Sequence, residues 1–466
     1  MGLQLERLGV DHPDFHQQGR TLLERVAKLR DAHARFTRLW AYYLNPMSPV
    51  SPAGADARPY TLGQEWGLPQ RITGNDDVSR KSVVIENDIA WRIDTMVDWL
   101  FGRPVTLRSL ASDSSRREAI ESVVRTTLGA NGGLGFFQKL ALLGAVYGQV
   151  DVLVKLAPPG ASGDAGDVSQ LGEQARPAGI DFADVARRIH FEIVEPARAL
   201  PMLMPTDPTR AVAFAQVYRT SRPSGSRSGW WNTLVEPLIP DPDQMDVIEI
   251  HSPTRWQRYE DLKLVAEGTN PTGELPMVHV QNLAMPFQYA GLSDVQQLIP
   301  LQDELNERLS DRAHRIAMQS SKMYFGKGIE NFKSLSIGPG QLWESNNPDA
   351  VVQEIGGDQG APSEDAHIEQ LREALDKVSG VPPIAAGITR NRIGRLTSAA
   401  ALKLTLHGLV ARTQRKRTTY GPAVARLGSL ALAWLDATGV FRTDPSERAL
   451  DIDWPAAVPI DFDEKN

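Results

Sequence analysis

Asp243, placed after Pro242, is followed at some distance by Asp261-Leu262-Lys263, two acids and a lysine in an order that could hold a divalent metal and activate water for phosphodiester cleavage. The gap between the acids is permissive, and Pro240-Asp241-Pro242-Asp243 reads equally well as a turn. A metal-dependent DNA-processing enzyme using Asp243, Asp261 and Lys263 therefore stands as the alternative reading. Other catalytic patterns are weaker. Gly326-Lys327-Gly328 lacks the leading glycine spacing and the Lys-Ser/Thr ending of a phosphate-binding loop. Gly132-Gly133-Leu134-Gly135 precedes a helical pattern as a dinucleotide loop would. The segment before it is helical too, and Gln138 stands where the third glycine belongs, so it reads as a plain connection. The nine histidines are scattered; His12 and His16 are four apart, but Pro13 spoils the helix on which they would share a face. No Gly-x-Ser-x-Gly elbow offers a nucleophilic serine. No cofactor is expected.

The basic residues say more. Arg390, Asn391, Arg392 and Arg395 lie in a Pro/Gly-rich loop, Val381–Leu396, and suit phosphate contact. Arg412, Arg415, Lys416 and Arg417 fall on a helical pattern and read as a solvated face or as ion pairs with a neighbouring subunit.

Long helices must position that loop. Leu292–Gln319 carries Leu298, Leu301, Leu305, Leu309 and Ile316 on one stripe, and Ser363–Val378 carries Ile368, Leu371, Leu375 and Val378. Thr397–Leu435 is about forty residues, up to ~60 Å if unbroken. The first two helices are apolar along narrow stripes, which suits packing between copies of a chain better than burial in one core. Pro300 should kink or break the first helix, and Gly421-Pro422 the long one. Upstream, residues 14–44, Val83–Phe101, Ser112–Leu128 and Leu134–Tyr147 read as helices. Alternation over Val150, Val152 and Val154, with Ile189–Val194, Ala211–Tyr218, Asp246–His251 and Met277–Val280, predicts strands. Ala157–Ala178 and Ser221–Gly229 read as mobile loops. The fold class is α+β.

Composition bounds the reading. The 466 residues, with 41% hydrophobic and 23% charged content, are those of a globular protein of two or more domains. No apolar run reaches the ~18 residues of a membrane span, and the amino terminus lacks the basic-then-apolar order of a secretion signal. Zero cysteines exclude disulfides and thiolate chemistry. A net charge of −7 disfavours a dedicated nucleic-acid binder, though not a protein past which a polyanion slides.

Three stretches, taken in order, carry a family resemblance. The first runs from Asn87-Asp88-Ile89 through Val97-Asp98 to Leu100-Phe101-Gly102-Arg103-Pro104-Val105. The second is Asn270-Pro271-Thr272-Gly273-Glu274-Leu275-Pro276-Met277-Val278, followed by Gly291-Leu292-Ser293-Asp294 and the helix with Asp303 and Asn306. The third is Val381-Pro382-Pro383 with Gly394-Arg395-Leu396-Thr397-Ser398-Ala399-Ala400-Ala401-Leu402-Lys403. Together, over about Phe36 to Asp463, the chain resembles the portal proteins of tailed double-stranded DNA phages, of the siphophage type.

The resemblance implies a non-enzymatic ring, usually of about twelve subunits, at one capsid vertex of the virion, assembled in the host cytoplasm. It implies a wing over residues 1–287 together with 398–436. Stem helices would cover 288–319 and 363–380, with a clip at 320–362 between them. A tunnel loop at 381–396, a long wing helix at 397–436 and a short crown at 437–466 would complete the chain. Implied partners are double-stranded DNA in the channel, the terminase large subunit, major capsid and scaffolding proteins, and a head-completion or adaptor protein, with no membrane. On this map Leu298, Leu301, Leu305, Leu309, Leu371 and Leu375 form the stem contacts between subunits. Tyr324, Phe325, Phe332 and Trp343 serve the clip and the motor. One or two of Arg390, Arg392 and Arg395 face DNA, the rest pairing with carboxylates such as Asp376.

Overall fold

The computed structural model of the chain describes residues 22–49, 60–69, 83–157, 186–221, 244–261, 263–320, 323–328, 347–355, 362–387 and 399–456. In chain order these form α1 (Leu22–Leu44), β1 (Met47–Pro49), β2 (Tyr60–Leu62), α2 (Asp88–Phe101), β3 (Thr106–Ser109), α3 (Ser114–Ala130) and α4 (Gly133–Tyr147). The β-rich middle follows: β4 (Gln149–Leu156), β5 (Ile189–Val194), β6 (Ala199–Met204), β7 (Asp207–Ser221), β8 (Gln244–His251), β9 (Arg255–Glu260), β10 (Lys263–Thr269) and β11 (Met277–Gln281). The last part holds α5 (Ile299–Ser320), β12 (Met323–Lys327), β13 (Val351–Ile355), α6 (Pro362–Ser379), α7 (Ala399–Ala437) and β14 (Leu450–Asp453). This is the expected α+β plan. Among the described residues no helix is long and apolar enough to cross a membrane. The loops expected at Ala157–Ala178 and Ser221–Gly229 lie almost wholly outside the described residues.

Two compact units result: Met1–Tyr43, Ile89–Gln297 and Ser379–Asn466 form the larger, and Leu44–Asp88 with Leu298–Val378 the smaller. In the larger unit, β4 is the middle strand of a three-stranded antiparallel sheet ordered β11-β4-β5. A central strand is covered on both faces, so the alternation of valines does not mark one wet side: Asp151 and Leu153 are as fully buried as Val150, Val152 and Val154. Buried Asp151 is accommodated because Tyr289 donates its hydroxyl to it at 2.5 Å and the His279 ring nitrogen Nδ1 lies 2.8 Å away.

On one side α7 packs along β4 and β11, and the Trp434 indole donates to the Val154 carbonyl at 3.1 Å. On the other side Leu153, Val194 and Met277 meet Ala199 of β6 and Phe214 of β7. Those last two strands belong to a five-stranded antiparallel sheet ordered β10-β9-β8-β7-β6. An ionic bridge reinforces the join, Lys155 Nζ lying 2.6 Å from Glu192 of β5 and 2.5 Å from Glu249 of β8.

Element ends differ from expectation for physical reasons. The proposed helix from Leu292 begins only at Ile299, so Pro300 falls in the first turn, where its missing N–H costs no bond. It neither kinks nor breaks the helix. Pro422 sits inside the 39 residues of α7, which continues through it. Its neighbour Gly421 is held close to Ile452 and Trp454, leaving little room for a side chain. Strands β6, β9 and β10 escaped the sequence reading because charged residues and a proline interrupt their apolar pattern.

Candidate functional site

The loop Val381–Leu396 is described up to Gly387. Arg390, Asn391, Arg392, Arg395 and Gly394 lie outside the described residues. Its base is well defined. The Ser379 hydroxyl accepts the Val381 N–H at 3.2 Å, closing the end of α6, and Gly380 takes the left-handed conformation at φ 69°. Val381 is fully buried, and Pro382 is extended at φ −74°, ψ 148°, as a proline pair requires. A short 3-10 turn, Pro383–Ala386, follows before Gly387 at φ 76°. Gly380 also lies against Gly408 of α7: a Cβ on Gly408 would sit 3.5 Å from the Gly380 carbonyl oxygen. The strand of chain entering the loop and the helix leaving it are therefore held side by side.

One turn beyond Gly408, Arg412 and Lys416 face inward. Both are buried and both meet Asp294, which is itself fully buried. Arg412 donates through Nη2 at 2.5 Å and Nε at 3.1 Å to Oδ1; Lys416 Nζ donates at 2.6 Å to Oδ2. Asn282 donates to the same Oδ2 at 2.7 Å, and Tyr420 donates to Asn282 Oδ1 at 3.2 Å. The Asp294 N–H bonds the Ala145 carbonyl at 2.9 Å, and the Ser293 hydroxyl donates to Val146 O at 2.6 Å. Burial opposes the charge on Asp294, but Lys416 and Arg412 outweigh it and hold the carboxyl below its ordinary range.

The helix cluster thus departs from both readings offered for it. Arg412 and Lys416 are neither solvated nor left for a neighbouring subunit; they are the cationic half of an internal anchor. Arg417 lies over the Trp454 ring at 4.9 Å and donates to Pro455 O at 2.9 Å, while Arg415 is exposed. The sequence reading missed Asp294 as a functional position, although the motif Gly291-Leu292-Ser293-Asp294 contains it. The usable signal was the four-residue spacing of Arg412 and Lys416 on a helix face otherwise buried through Leu409, Thr413 and Tyr420.

In the smaller unit α5 and α6 are joined by Arg315–Glu364 at 2.5 Å, Arg312–Asp365 at 3.1 Å and His367–Glu304 at 3.4 Å. Leu298, Leu305 and Leu375 are fully buried within one chain and Leu371 nearly so; Leu301 and Leu309 are half-buried, and Ile316 is exposed. The narrow apolar stripe of α5 has an internal cause. Gln302, Asn306 and Ser310, one turn apart, are completely buried, and they bond an extended segment of main chain. Ser310 Oγ accepts from Val84 N at 3.0 Å, Asn306 Oδ1 from Glu86 N at 3.2 Å, and Gln302 Oε1 from Asp88 N at 3.1 Å. Arg372 of α6 pairs with Glu86 at 2.6 Å. These bonds occupy the main chain of 84–88, so the helix expected from Val83 starts at Asp88.

Between α5 and α6, β12 pairs with β13 in antiparallel register. Tyr324 and Phe325 stand on β12 opposite Glu354 and Gln353; Phe332 and Trp343 lie outside the described residues. Asp243 lies outside them as well. Asp261 occupies the β9–β10 turn at φ 45°, and its Oδ1 accepts the Asp246 N–H at 3.1 Å, a turn-shaping role.

Residues 243–465 match the model of the family described as phage portal protein, SPP1 Gp6-like. The class so defined is that of the phage portal proteins, which are structural proteins of the virion and not enzymes. Within that class, over these residues, the chain belongs to the SPP1 Gp6-like family. Metal-dependent cleavage by Asp243, Asp261 and Lys263 is set aside by this membership. No curated protein matches the chain. Among solved structures, the "Virion of native gene transfer agent (GTA) particle" contains a chain 13% identical, with TM-score 0.42 and coverage of 89% of this chain and 88% of that one. The "Neck of empty GTA particle computed with C6 symmetry" contains one 12% identical, TM-score 0.42, covering 78% of each. At such scores the likeness carries no further argument.

Proposed function

We propose that the chain assembles into a ring of about twelve copies at one capsid vertex and conducts double-stranded DNA during packaging and ejection. In this reading α5 and α6 are the stem, β12 and β13 with their connection the clip, residues 381–396 the tunnel loop, and the larger unit with α7 the wing. A short crown follows at 437–466. The terminase motor and later a head-completion protein dock on the clip, while capsid and scaffolding proteins meet the wing during nucleation of the procapsid. The observation that carries the reading is the family match over 243–465, a stretch that spans α5, the β12–β13 insert, α6, the loop and α7 in unbroken order.

Electron-microscopic class averages with a sedimentation mass test it. A closed ring near roughly 600 kDa, for twelve copies of 51.3 kDa, is expected. A monomer or dimer that fails to close at any concentration would rule the conduit out.

A further inference from the structure

Strands β1 and β2 form a separate two-stranded antiparallel sheet with Met47 opposite Leu62 and Pro49 opposite Tyr60. Directly opposed residues share a face, so one face of this small sheet is Met47, Pro49, Tyr60 and Leu62, with Ser48 and Thr61 on the other. The apolar face is the open one: Met47 is 68% exposed and Tyr60 41%. Beside it the 3-10 turn Gly63–Gly67 presents Trp66, 60% exposed. We propose that this face is a docking surface for a second copy of the chain, seated next to it in the ring, and the proposal rests on the ring reading above.

The patch is built to be rigid. Gly63 N bonds Pro46 O at 3.0 Å, and Gln64 N bonds Asn45 Oδ1 at 3.0 Å, fixing the turn against the start of β1. Fully buried Gln64 then donates to Asn87 at 2.9 Å and accepts from Asn306 of α5 at 3.0 Å. A short two-stranded sheet is marginal in water by itself, so these bonds hold an apolar face in place that nothing in its own unit covers among the described residues. Pre-positioned methionine and aromatic side chains lose little entropy on docking, and they are the residue types concentrated at protein interfaces.

The choice of a second copy comes from where exposed apolar residues gather. Eight of the thirteen large hydrophobic side chains left exposed fall in the smaller unit, among them Ile316 of α5, Val351 of β13 and Val378 of α6. This is the unit that the proposed function places round the channel. A ring closes through head-to-tail contacts, in which each copy supplies two different patches. The exposed helix and strand positions of the smaller unit offer the second. The face carries no lysine or arginine, so DNA is a poor occupant.

The chain has no cysteine, so Met47→Cys introduces a single thiol for a benzophenone maleimide. Photolysis of the assembled full-length chain should give covalent species at twice the chain mass and above. In parallel, Tyr60→Glu with Trp66→Glu should reduce the ring population about tenfold at fixed concentration, with the circular dichroism of the chain unchanged. Intact rings whose cross-links stay within one chain, or run only to a different virion protein, overturn the proposal and leave the ring reading standing. A parent chain that sediments as a monomer removes both.

Discussion

At the scale of single residues, Asp294 is the position on which most depends. It is fully buried, and two cations on successive turns of α7 converge on it. Asp294→Asn keeps the shape and removes the charge, leaving Arg412 and Lys416 buried against a neutral amide. Breaking such a cluster costs about 3–5 kcal/mol, so the urea midpoint of the variant should fall accordingly. The pH dependence has a definite sign. A carboxyl held below its ordinary value contributes its full stability above the unfolded value of about 3.9, and loses it as pH falls toward the folded value. The parent should therefore lose stability through this acid window more steeply than Asp294→Asn, and parallel acid limbs would show that the carboxylate contributes nothing.

At the scale of elements, α5 shows how a helix can be buried on a polar face. Its amide and hydroxyl side chains read the main chain of 84–88 in steps of one helical turn to two extended residues. Gln302→Ala and Asn306→Ala should each cost about 1–3 kcal/mol, because a buried main-chain N–H is left without an acceptor. Hydrogen exchange at Glu86 and Asp88 should speed up in these variants while the amides of α6 remain protected. Leu305, fully buried inside one chain, behaves differently from what a pure contact between copies would give. Leu305→Asp should unfold the smaller unit outright, seen as lost helicity, and not merely dissociate rings. A similar economy of space governs α4 and α7. A Cβ on Gly144 would collide with the hydroxyl of buried Tyr420, so Gly144→Ala should cost about 1–3 kcal/mol through overpacking.

At the scale of the whole molecule, the loop 381–396 links geometry to the proposed transport of DNA. Its base is fixed by Gly380 against Gly408 and by the Asp294 anchor just beyond, so substitutions in its tip can alter the channel without loosening the fold. Three arginines per copy in a ring make a dense positive collar, and phosphate neutralisation by all of them would act as a brake. Arg390→Glu with Arg392→Glu should therefore leave the ring mass unchanged and lower the length of DNA packaged or retained. Normal packaging and retention by that variant would make these arginines structural.

The sequence by itself determined the periodic parts: α6 within one residue at each end, α7 within two, β5 completely, and the order of helices, β-rich middle, helix, insert, helix, loop and long helix. Such elements follow from local spacing of apolar residues, which a linear reading can see. It also carried the three motifs of the portal family. Only the tertiary structure decided what the isolated polar residues do. Arg412 and Lys416 looked like surface charges because their partner is more than a hundred residues away, and Gln302 and Asn306 looked like the wet side of a helix because the strand they bind lies far upstream. A buried polar group can be recognised only by its partner, and pairing between distant segments leaves no periodic trace in the chain. That is why the stripe on α5 suggested a contact between copies when half of its burial lies within one.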